Sequence, residues 1–243
     1  MIILIAIAAF ISTLVGGLVA LRFRDRLHLI LGFSAGAVIG VAFFDLIPES
    51  IELGSKFYEV GTIMTVTAVG FLTYLVLDRL IFLHIHAHGE DHVHEEPHIG
   101  RGILGAGSLT VHSFLDGMAI GLAFQVSVAV GLIVTVAVLV HDFSDGINTV
   151  NLIIKNRGNL KVALKWLIAD ALAPVLGVAA TFLFRLPEQG LGMVLALFSG
   201  FFLYIGASDL IPESHHAHPK MQTTIMTILG AAILFAVIRL AQI

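Results

Sequence analysis

The chain has 243 residues, 58% hydrophobic, 12% charged and none of them cysteine, with a formal net charge of −4 and a mean hydropathy of +0.99. A soluble domain carries charge on roughly a quarter of its residues, so this composition excludes a water-soluble globule and points to a chain that lives in a bilayer. The missing cysteines exclude disulfides, thiolate zinc sites, iron–sulfur clusters and thiol catalysis, and the negative charge without a basic tract excludes nucleic acid as a partner.

A bilayer core needs about 20 apolar residues per helix. Eight such stretches follow one another, Ile2 to Leu21, Leu29 to Pro48, Val60 to Leu83, Gly102 to Phe124, Val126 to Ile154, Val162 to Phe184, Leu191 to Ile211 and Met221 to Leu240. Their apolar runs are continuous rather than alternating and about twice the length of a membrane strand, so the predicted fold is all-α with eight transmembrane helices in one domain, 1–243. The first stretch has no positive charge ahead of it and Arg22, Arg24 and Arg26 directly behind it, the reverse of a secretory signal. Those arginines predict an extracytoplasmic N-terminus by the positive-inside rule. Alternating from there, ten Lys and Arg fall inside and only Lys56, Arg185 and Arg239 outside, which also predicts an extracytoplasmic C-terminus.

The third-to-fourth connection, 84–100, is predicted to be a cytoplasmic His-rich loop holding His84, His86, His88, His92, His94 and His98 among Glu90, Asp91, Glu95 and Glu96. His-x-His spacing on an irregular chain suits a flexible metal-collecting or sensing segment. His215, His216 and His218 follow the seventh helix. The predicted outer mouth carries Asp45 and Glu49, with Glu52 and Glu59 nearby, and attracts cations.

Two short sequences each occur twice, in mirrored order. Asp-Leu-Ile-Pro-Glu-Ser stands at 45–50 and 209–214, closing the second and seventh helices, and His-x-Phe-x-Asp-Gly at 112–117 and 141–146, in the fourth and fifth. Helices two and seven run in opposite directions, so this order predicts an inverted-topology repeat with its binding site near the midplane. Asp45, Glu49, Asp209 and Glu213 of the hexapeptides are candidate ligands along the path.

His112 lies 11 residues beyond Arg101 and His141 14 residues before Lys155, which puts both near mid-bilayer at about 1.5 Å per residue. Asp116 and Asp145 each follow a histidine by four residues and share its helix face, with Asp142 beside them. An Asp at mid-membrane costs roughly 2.5 to 3.5 kcal/mol. No Lys or Arg stands between Arg101 and Lys155 to neutralise these carboxylates, so protons, water or a bound cation must. Imidazole nitrogens with carboxylate oxygens suit zinc or another divalent transition metal. Asp170, midway along the sixth helix, adds a further carboxylate, and the set could hold one metal or two bridged by an Asp. Gly117, Gly121 and Gly146 are predicted to be close-packing positions.

The run His112-Ser113-Phe114-Leu115-Asp116-Gly117-Met118-Ala119-Ile120-Gly121 and the two Asp-Leu-Ile-Pro-Glu-Ser copies resemble signatures of the ZIP (Zrt/Irt-like) family of divalent-metal transporters. The resemblance implies a 3+2+3 arrangement of helices and metal import into the cytosol through His112, Asp116, His141, Asp142 and Asp145. It also implies that Asp170 is a carboxylate that in some members bridges to a second metal. The chain departs from the family at Asp116 and Asp145, where many members carry Glu, and at Ser113, where Asn is common. The resulting expectation is a metal transporter rather than an enzyme, in a bacterial inner membrane, with divalent ions and lipid as partners and small-residue faces that would permit a homodimer. The rival readings are a membrane-embedded di-metal oxygenase or hydrolase, and a proton-coupled solute carrier.

Overall fold

The computed structural model describes residues 1–22, 27–86, 99–215 and 221–241. Among them, eight helices are long and apolar enough to cross a membrane. We label them α1 (Ile2–Arg22), α2 (27–54), α3 (Val60–His86), α4 (Ile99–Val126), α5 (Val128–Lys155), α6 (Leu160–Ala180), α7 (188–215) and α8 (Met221–Ala241). The described residues contain no strand. Hydroxyl and amide side chains set two of the starts: Ser127 Oγ accepts from Val130 N–H at 3.1 Å to open α5, and Asn159 Oδ1 accepts from Val162 N–H at 3.0 Å to open α6.

The hexapeptides do not close their helices. Each proline falls inside a helix that continues past it, to Gly54 in α2 and to His215 in α7. Proline cannot donate to the carbonyl four residues back, and its ring clashes with that carbonyl. Both helices relieve this with a single π-helical turn just before the proline, Ala42–Leu46 and Ile205–Leu210. Ile47 N–H then reaches Ala42 O and Ile211 N–H reaches Gly206 O. The expected ends at Pro48 and Ile211 are therefore too early: the bulge absorbs the proline where a stop was read. His84 and His86, read as the start of the loop, belong to the end of α3, and Ile99 and Gly100 to the start of α4. The rest of that loop, with His88, His92, His94 and His98, and also His216 and His218, lies outside the described residues.

The helices pack as two clusters, α1, α4, α5 and α6 in one and α2, α3, α7 and α8 in the other. Within each, pairs approach at backbone distance through reciprocal glycines. A Cβ on Gly16 of α1 would sit 1.9 Å from Phe143 O of α5, and one on Gly146 would sit 1.9 Å from Thr13 O of α1. Gly117 and Gly177 join α4 to α6, Gly36 and Gly230 join α2 to α8, and Gly70 and Gly200 join α3 to α7 in the same way. Among the described residues, every membrane-helix glycine whose Cβ would fall within 3.0 Å of another membrane helix's backbone meets a helix of its own cluster. Side chains mediate the contact between clusters, as where α2 meets α5 and α4 meets α7. Outward-facing positions on α1, α3 and α8, such as Leu4, Leu72 and Ile228, are exposed and apolar, as lipid contact requires.

Candidate metal centre

The i, i+4 spacing of each His-x-x-x-Asp pair sets its two side chains on one face of α4 or α5, and the packing of α4 on α5 turns those faces together. His112, Asp116, His141 and Asp145 are 4%, 2%, 0% and 3% exposed, and one donor atom from each lies within 4.8 Å of the other three. Asp116 Oδ2 is 3.1 Å from His112 Nε2 and 3.3 Å from His141 Nε2, and Asp145 Oδ2 is 3.4 Å from His112 Nε2. None of these four atoms has a hydrogen-bond partner. Buried polar atoms are almost always satisfied, so four such atoms that meet only one another make a candidate metal cage. Four donors at about 2.0 to 2.2 Å around a tetrahedral zinc stand about 3.4 Å from one another; the three His–Asp separations lie near that value, and the whole group falls within 4.8 Å.

The outer nitrogens of the two imidazoles are held. His141 Nδ1 lies 2.9 Å from Ala137 O. A carbonyl only accepts, so Nδ1 carries the proton and Nε2 presents its lone pair to the cage. His112 Nδ1 lies 2.9 Å from the hydroxyl of Tyr74 on α3.

The remaining sequence candidates take different places. Asp142 is fully buried and neither of its oxygens has a hydrogen-bond partner, but it is not one of the four clustered ligands. Asp170 is equally buried yet satisfied: Ser113 Oγ donates to Oδ1 and Thr149 Oγ1 to Oδ2, each at 2.8 Å. Two hydroxyls, one from α4 and one from α5, thus fix the orientation of this carboxylate and leave one lone pair on each oxygen. Asp45, at the π-turn of α2, is buried with Oδ2 unpartnered, and Glu49 one turn later is half-buried. Asp209, at the matching turn of α7, is half-buried and within electrostatic reach of His112. Neither Asp45, Glu49 nor Asp209 joins the four-atom cluster. The side chain of Glu213 lies outside those described. Beyond the end of α2, Lys56 pairs with Glu188 Oε1, and that hydrogen bond raises its ammonium pKa above the usual value.

Tyr74, Ser113 and Thr149 are contributors that the sequence pattern did not assign. Tyr74 carried one signal, a hydroxyl within an apolar span, and Ser113 another, its place in the 112–121 run where the family often has Asn; Thr149 gave none.

Eight apolar helices among the described residues, around a buried group of two His and two Asp, define a membrane protein whose core could hold a metal ion. The model of the family described as ZIP Zinc transporter matches residues 84–238, and the chain belongs to that family. Over 220 residues it is 25% identical to the zinc transporter ZupT of Corynebacterium aurimucosum, covering 84% of this chain and 83% of the relative. It is 26% identical over 200 residues to the zinc transporter ZIP13 of Pongo abelii, covering 77% of this chain and 58% of that longer protein. A match to the zinc transporter ZIP4 of Mus musculus reaches 31% identity over 102 residues, 42% of this chain and 16% of the relative.

Proposed function

We propose that this chain carries divalent transition-metal ions, zinc foremost, across a membrane into the cytoplasm. The observation that supports the reading is the set of four buried, unbonded donor atoms of His112, Asp116, His141 and Asp145. Two neutral imidazoles with two carboxylates supply the charge that a divalent ion cancels, without which the pair of buried carboxylates is costly. Asp142 would hold a second ion shared with Asp116 and Asp145, its unpartnered oxygens serving as ligands. Asp170 would act by orienting α4 and α5 through Ser113 and Thr149. Asp45, Glu49, Asp209 and Glu213 would line the approaches on either side, and the His-rich segment between α3 and α4 would collect metal on the cytoplasmic side.

The ten-to-three bias of basic residues supports extracytoplasmic termini, and the match to a bacterial relative supports a bacterial inner membrane. The mirrored motifs and mirrored π-turns support a 3+2+3 inverted repeat, with α1–α3 related to α6–α8. The two glycine-joined clusters would be the bodies whose relative movement opens the site to each side in turn. The apolar outer faces of α1, α3 and α8 leave room for a homodimer in the bilayer.

Zinc flux into liposomes carrying the purified protein tests this reading, with Asp145→Asn beside the wild type and cadmium, iron and manganese as competitors. Flux in the wild type that falls to background in the variant is expected. Zinc binding without flux would favour a metalloenzyme or sensor, and neither binding nor flux would favour proton relay through the Asp and His residues.

A further inference from the structure

Tyr74 sits where the two clusters meet, and what it touches goes beyond packing. Its ring lies against Phe201 and Tyr204 of α7, with centroids 5.5 and 5.3 Å away. Its hydroxyl crosses to α4 and meets His112 Nδ1 at 2.9 Å, while His112 Nε2 faces the cage. The same ring stands edge-on to the imidazole at 5.8 Å, so both the orientation and the outer nitrogen of His112 are contacted by one residue of the opposite cluster. His141, by contrast, is oriented by a carbonyl of its own helix.

We propose that Tyr74 is a positioning residue for metal binding: by accepting from Nδ1–H its hydroxyl favours the His112 tautomer that presents Nε2 as a ligand, and does so only while the two clusters hold this arrangement. The inference rests on the reading of His112, Asp116, His141 and Asp145 as the metal site. A metal on Nε2 needs the proton on Nδ1, where it donates to Tyr74 Oη. Partners of this kind orient the ring and raise ligand basicity, and losing one typically weakens metal binding 10- to 100-fold. Because Tyr74 belongs to α3 and His112 to α4, a relative shift of the clusters removes the partner without touching the four ligands. The site would then hold its ion tightly in one arrangement and loosely in the other, as a carrier that must release its cargo requires.

The test uses the full chain in lipid nanodiscs with Co²⁺ as the probe, whose visible absorption reports tetrahedral ligation. Wild type, His112→Ala and Tyr74→Phe are compared, together with the 15N spectra of histidine-labelled, metal-free protein. The phenylalanine ring keeps the contacts with Phe201 and Tyr204. Expected are Co²⁺ binding in the wild type, its loss in His112→Ala, about tenfold or greater weakening in Tyr74→Phe, and loss of the single Nδ1-protonated His112 tautomer in the same variant at an unchanged melting temperature. The weakening should persist when a disulfide introduced through Ser34→Cys and Ser144→Cys holds the clusters together. Wild-type Co²⁺ affinity in Tyr74→Phe, or a tautomer unaffected by it, overturns the role of Tyr74 and leaves the metal site standing. Equal Co²⁺ binding by wild type and His112→Ala overturns the metal site itself, and the role of Tyr74 with it. Should Tyr74→Phe melt early, the wild-type spectrum decides: one Nδ1-protonated tautomer supports the proposal and a mixture overturns it.

Discussion

The hydroxyls of Ser34 and Ser144 lie 2.9 Å apart, one on α2 and the other on α5, where the two helix clusters touch. Ser34 also donates to Val140 O of α5 at 3.0 Å. Cysteine sulfurs at these positions would fall within about 1 Å of a disulfide bond length, and the chain has no cysteine of its own to compete. Oxidised Ser34→Cys/Ser144→Cys protein should lose zinc flux by an order of magnitude or more and regain it on reduction. Liposome uptake with and without dithiothreitol measures this. Full flux through the oxidised protein would mean that the clusters do not move against each other during transport.

Asp116 Oδ2 stands closest to both imidazoles, so it is the ligand whose loss most affects the cage. Asp116→Asn keeps the shape and removes the charge. Zinc affinity should fall about 10- to 100-fold, while the metal-free protein should melt close to the wild type, because the amide keeps the shape of the side chain and a polar contact with each imidazole. Isothermal titration and a thermal melt of the apo protein read the two effects, and a variant that loses both stability and binding would show that Asp116 holds the helices together instead.

The helices and the two His-x-x-x-Asp pairs were legible in the sequence because each depends on near neighbours. A continuous apolar run is a membrane helix whatever surrounds it, and His112 with Asp116 share a face by spacing alone. Helix ends at Pro48 and Ile211 were misplaced because a proline reads as a stop unless the packed helix accommodates it with a π-turn. Tyr74 on His112, and Ser113 and Thr149 on Asp170, depend on which helix faces which. A hydroxyl in a membrane helix says nothing by itself about a partner 38 or 57 residues away.

Asp142 and Asp170 are both fully buried, yet only Asp170 has hydrogen-bond donors on its oxygens, and the two should respond differently to the same change. Asp142→Asn should leave one zinc bound at the four-ligand cage and abolish a second, so metal content measured by mass spectrometry falls from two ions per chain to one. Asp170→Asn should keep the metal count and cost about 1 to 2 kcal/mol of stability, since the amide replaces one acceptor with a donor facing a hydroxyl. If the metal content instead falls with Asp170→Asn and not with Asp142→Asn, the bridging carboxylate is on α6.

Glycine close packing should be unforgiving within a cluster and irrelevant elsewhere. A Cβ on Gly16 meets the backbone carbonyl of Phe143 at 1.9 Å, an oxygen that cannot rotate away as a side chain could. Gly16→Ala must push α1 off α5 and should lower stability by about 3 kcal/mol, at the upper end of what overpacking costs, with a parallel loss of flux because α5 carries His141 and Asp145. Gly61, at the start of α3, has nothing within 4 Å of the same added atom. Gly61→Ala should therefore be neutral or stabilising by up to about 1 kcal/mol through helix propensity, with flux unchanged. Melting temperatures of the two variants in one lipid environment decide the matter, and a Gly16→Ala protein as stable as the wild type would show that α1 and α5 are not joined at backbone distance.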